Sequence, residues 1–92
     1  MKHENYIGKF FKHIKFPSYI AVECMQDNYA KGVGFWRNSA PSNAMAIGTV
    51  SFDITKDEYV EITKEIFIEV GQEIENEVIS RFQTALNFNE QF

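Results

Sequence analysis

Apolar and polar positions along this chain follow two periods, and the change from one to the other divides it. Over residues 44–54 the alternation is strict: Val50, Phe52 and Ile54 alternate with Thr49, Ser51 and Asp53. That is the signature of a half-buried strand. Over residues 55–86 two rows repeat every fourth position. One is apolar (Ile62, Ile66, Val70, Ile74, Val78, Phe82) and the other acidic (Glu61, Glu65, Glu69, Glu73, Glu77). Residues four apart stack on one face of a helix, so this stretch predicts a long amphipathic helix. Thr55 and Glu58 have capping-box spacing, which places its start at Thr55. The β-branched Val60, Ile62, Ile66 and Ile68 make a hairpin the competing reading.

A straight helix over 55–86 would run about 48 Å, longer than the roughly 30–35 Å of a compact domain of this size. Two solutions follow. The helix kinks at Gly71, where glycine is costly in a helix interior, or its second half is buried against another chain. Ile68, Ile79 and Leu86 project away from the main apolar face and form a second stripe. The expected use of that stripe is a homodimer contact.

Before the alternating strand, residues 19–25 and 30–37 also read as strands, separated by the turn-forming Gln26, Asp27 and Asn28. Residues 37–43 read as a polar loop. Three strands with short connections predict an antiparallel meander. At the start, over residues 5–16, Tyr6, Ile7, Phe10, Phe11, Ile14 and Phe16 are apolar and pairs repeat every four positions, which predicts a short helix ended by Pro17. Gly8 weakens that helix, and an edge strand over 10–16 is the alternative. Residues 87–92 read as a tail. The fold class expected is therefore α+β in a single domain over residues 1–92. It consists of an N-terminal helix, a three-stranded antiparallel β-meander and a long C-terminal helix packed on the sheet.

Composition supports a folded chain: 92 residues, 45% hydrophobic and 15% aromatic, enough to build a core. One cysteine, Cys24, forms no internal disulfide and reads as a buried structural residue in a reducing compartment. No secretory signal or membrane-spanning run is apparent, so the expected location is cytoplasmic, without membrane association.

The net charge is −4, unevenly spread. Residues 1–37 hold six basic and three acidic residues; residues 38–92 hold three basic and ten acidic. Halves of opposite sign either attract each other across the fold or present one sign to a partner.

Known catalytic patterns are lacking. His3, His13 and Cys24 have no zinc spacing, so no metal is expected, and the histidines read as surface residues. Gly32-Val33-Gly34 lacks the third glycine of a dinucleotide loop. The helix-row glutamates, all in water, offer nothing to separate an acid from a base. No cofactor and no enzyme activity are expected.

The leading expectation is a non-enzymatic protein-binding module, a small acidic inhibitor or adaptor of the kind viruses encode. It would engage a basic protein surface through Glu61, Glu65, Glu69, Glu73 and Glu77, with Ile68, Trp36 and Arg37 as contact residues, since Trp and Arg are common hot spots. One alternative is nucleic-acid binding through Lys9, Lys12, Lys15, Lys31 and Arg37, with neighbouring aromatic residues stacking on bases. Another is a small ligand-binding domain or enzyme with a site between sheet and helix.

Overall fold

The computed structural model describes residues 5–38 and 45–90, with side chains up to residue 87. Five strands form one antiparallel sheet: β1 (Phe10–His13), β2 (Ser18–Gln26), β3 (Tyr29–Arg37), β4 (Met45–Asp53) and β5 (Tyr59–Ile62). A single helix, α1 (Lys64–Glu90), follows. The strand order is β4-β3-β2-β1-β5, so the meander of the first four strands is extended by the last strand returning beside the first.

The α+β class, the central meander and the long C-terminal helix are as the sequence predicts. Three particulars differ. The first is the absence of the N-terminal helix predicted over 5–16; the chain forms β1 there instead, within the 10–16 of the alternative strand reading. Phe10 and Phe11 explain the choice. On a strand, adjacent side chains point to opposite faces. Phe11 is thereby buried in one core while the Phe10 ring meets Phe67 of α1 at 4.9 Å. A helix would hold both rings on one side. Gly8, at φ +81°, takes the left-handed conformation that turns the chain into the sheet, and its N–H donates to the Val22 carbonyl.

The second difference is the start of the helix. Asp53 captures Thr55, accepting from its N–H at 2.9 Å and from its hydroxyl at 2.6 Å. This closes a single 3-10 turn over Ile54–Lys56, and Asp57 at φ 51° then redirects the chain into β5. The helix starts eight residues later, where the Thr63 hydroxyl accepts from the Ile66 N–H at 3.2 Å.

The third difference concerns Gly71, which is no kink. α1 is continuous for 27 residues, about 40 Å at 1.5 Å per residue. It runs through residues read as a tail and projects past the sheet. The radius of gyration is 15.7 Å, against about 12 Å for a compact chain of this length. An added Cβ at Gly71 would stand 3.5 Å from the Phe35 ring, an ordinary contact. Gly71→Ala is therefore expected to stabilise the fold by about 0.5–1 kcal/mol, measured as a rise in the urea midpoint. A lower midpoint would show that the glycine has a steric role.

The sheet separates two apolar layers. On its concave side Phe11, Ile20, Val22, Ala30 and Phe52 form the main core, flanked by Tyr6, Met25, Val50, Ile54 and Tyr59. The sheet curls enough for Phe52 of β4 to stack on Tyr59 of β5, with ring centroids 4.4 Å apart. On the other side α1 lies across the strands, with Phe67 against Phe10 and Phe35 and with Ile74 buried. A register shift between Val22 and Cys24 breaks the alternation of β2, and Cys24 is exposed, not buried.

Candidate partner-binding surface

The acidic row of the sequence is divided by the fold. Glu61 belongs to β5 and lies 3.7 Å from the Lys9 ammonium. Glu77 turns toward the sheet, where Arg37 donates to both carboxylate oxygens, at 2.9 and 3.3 Å. This two-pronged hydrogen bond from Arg37 holds the Glu77 carboxyl below the usual carboxylate range. Glu65, Glu69 and Glu73 remain exposed, one turn apart along α1.

Helical geometry places Ile68 one turn from Glu65 and about 60° around the axis from it, on the flank away from Glu73, which lies about 140° round. Ile68, Ile79 and Leu86 are separated by eleven and seven positions, close to whole numbers of turns, so they fall on one line. Their exposures are 44%, 45% and 60%. All three are open to solvent, and between Ile68 and Ile79 the same line carries the exposed Gln72 and Glu75.

Trp36 and Arg37 are neighbours on β3 and leave the strand in opposite directions. Arg37 reaches α1, whereas a Cβ on Gly48 would touch the Trp36 ring on the concave side. Trp36 is thus not continuous with the acidic row. It lines a cleft of about 350 Å³ at the end of the sheet together with His13, Phe16, Pro17, Ser18 and Tyr59, and Arg37 also borders that cleft. The Ser18 and Tyr59 hydroxyls share a 2.9 Å hydrogen bond there.

His13 is buried, not a surface residue. Its Nδ1 accepts from the backbone N–H groups of Lys15 and Phe16 at 3.0 and 3.2 Å, so the ring holds the β1–β2 turn. Its Nε2 lies 3.8 Å from the Glu58 carboxylate. The reading of His3 and most of the polar loop at 37–43 lie outside the described residues. Among the described residues, no group of three His, Cys, Asp or Glu side chains is placed to hold a metal ion.

The basic residues are distributed over both ends of the sheet. Lys9 and Lys31 lie at one end, Lys15 and Arg37 at the other, with Lys12 between them on β1. Lys9 faces Glu61, Lys31 donates to Gln26 and Arg37 binds Glu77. Two of these contacts join the basic and acidic halves of the chain. Their residue pairs are 52 and 40 positions apart, and the opposite signs of the two halves are the only trace of them in the sequence.

Among the described residues no helix is long and apolar enough to cross a membrane. No protein-family model, known protein or solved structure matches this chain.

Proposed function

We propose that this chain is a non-enzymatic protein-binding module, an inhibitor or adaptor, that engages a basic protein surface through the outward face of α1. One observation carries the reading: Glu65, Glu69 and Glu73 stand exposed at one-turn spacing, with the half-exposed Ile68 on the flank next to Glu65, on a helix whose opposite face is anchored to the sheet by Phe67 and Ile74. Like charges four apart on a helix repel, and cations from a partner relieve that repulsion. Ile68 supplies an apolar contact on the Glu65 flank of the row, and the sheet holds the helix in place before binding. The charges then favour fast, oriented encounter, and the apolar stripe slows dissociation.

The test is the triple charge reversal Glu65→Lys, Glu69→Lys and Glu73→Lys. The fold is expected to survive, because all three side chains are exposed. Proteins captured by the parent chain from its source cells, identified by mass spectrometry and then purified, are expected to bind the variant at least about a hundredfold more weakly. Binding by the parent should also weaken as salt is raised. Equal affinity of parent and variant for every captured protein would reject the reading.

A further inference from the structure

The second half of α1 differs from the first in charge and in cover. Residues 64–77 contain five glutamates and Lys64; residues 78–87 contain one charged residue, Arg81. At about 100° per residue, Val78, Ile79, Phe82, Ala85 and Leu86 occupy a sector roughly 120° wide. Met45 of β4 borders that sector, sharing a cleft of about 420 Å³ with Val78, Arg81, Phe82 and Ala85. Beyond it Ile79, Phe82 and Leu86 remain 45%, 66% and 60% exposed.

We infer that a second copy of this chain covers the sector, the two overhanging segments packing antiparallel about a two-fold axis near Phe82. Charge selects this occupant over a basic protein. The sector is flanked by Arg81 on one side and Gln83 on the other, and residues 78–87 contain no acid for such a partner to pair with. An apolar centre depleted of charge is instead the composition of an interface core. Charge also selects the direction. Two chains of net charge −4 repel, and antiparallel overlap of residues 78–87 puts their acid-rich halves at opposite ends of the pair. Parallel overlap would set the two glutamate rows side by side. In a two-fold contact, residue i of one copy meets j of the other while j meets i. Ile79 then faces Leu86 of the other copy, and the two Phe82 rings meet at the axis. Ile68 lies outside the overlap and stays available on the acidic face. The inference is independent of the basic-partner reading, although a dimer would present two acidic faces at once.

Sedimentation equilibrium from about 1 μM to about 1 mM tests it. The parent chain is expected to dimerise reversibly, and Phe82→Asp and Leu86→Lys are each expected to raise the dissociation constant about tenfold or more with unchanged circular dichroism. A second readout needs no substitution: amide hydrogen exchange over residues 79–87 should slow as concentration rises. A parent chain that is monomeric throughout, a dimer indifferent to both substitutions, or exchange over 79–87 independent of concentration would each overturn the inference.

Discussion

Replacing Gly32 with alanine is expected to abolish the folded state or to cost at least about 4 kcal/mol. β3 presents Ala30, Gly32 and Gly34 in succession to the concave side of the sheet, where β2 coils tightly over it. A Cβ on Gly32 would overlap the carbonyl oxygen of Ala21, and would stand 2.9 Å from the Ala21 carbonyl carbon and 3.0 Å from the Glu23 nitrogen. All three are backbone atoms of the paired strand. No side-chain rotation relieves such overlap, so β2 and β3 must separate at the register shift beside Val22. Chains of this size have total stabilities of about 5–10 kcal/mol, so the loss takes most of what is available. Gly48→Ala is the informative companion. Its Cβ would stand 3.3 Å from the edge of the Trp36 ring, which can shift, and the expected change is within about 1 kcal/mol. Urea unfolding followed by circular dichroism and Trp36 fluorescence distinguishes the two. A cooperative transition for Gly32→Ala within about 1 kcal/mol of the parent would show that the close approach of β2 and β3 is not required.

Phe52→Ala is expected to destabilise by about 3–5 kcal/mol. Phe52 lies on β4, one edge of the sheet, yet its ring stacks on Tyr59 of β5 at the other edge at 4.4 Å. It also contacts Phe11 at 5.4 Å and Tyr6 at 6.5 Å. Among the described strands β4 and β5 share no ladder, so the closure of the sheet rests on side chains of this kind. Removing the ring loses its transfer energy, leaves a cavity, and deletes aromatic pairs worth about 0.5–1.5 kcal/mol each. Phe52→Leu keeps most of the volume and is expected to cost less than half as much. Phe82, 66% exposed on the overhang, serves as the contrast. Measured at concentrations that keep the chain monomeric, Phe82→Ala should change stability by no more than about 0.5 kcal/mol. Equal effects at Phe52 and Phe82 would refute the assignment of Phe52 to the core.

The two sites differ in how visible they were in the sequence. Phe52 falls on the apolar side of the clearest alternation in the chain, and its burial follows from that pattern. The constraint at Gly32 has no local signature, because it depends on how far β2 coils over β3. The candidate surface divides in the same way. The spacing of four puts Glu65, Glu69 and Glu73 on one face whatever the rest of the chain does. Whether Glu61 and Glu77 join them depends on partners far away in sequence, Lys9 and Arg37, and both are diverted. The cleft beside Trp36 is assembled from β1, β2, β3 and β5, and no single stretch announces it.

The N-terminal error has the same origin. Phe10 and Phe11 satisfy a four-residue repeat and a strand equally well, and pattern alone cannot rank them. The strand prevails because one ring is needed in the concave core and the other beneath α1. At Thr55, the capping box and an Asp53-centred turn compete for one hydroxyl, and the turn prevails because it returns the chain to pair with β1.

Local periodicity suffices for the β-meander, the long helix and its charged face, because these follow from which side chains repeat on one side of a regular backbone. Long-range packing sets the two flanking strands, the start of the helix, its passage straight through Gly71 and the division of the acidic row. Each of those outcomes is set by which distant surface a residue meets, and burial against a distant partner outweighs the small preferences that neighbouring residues express.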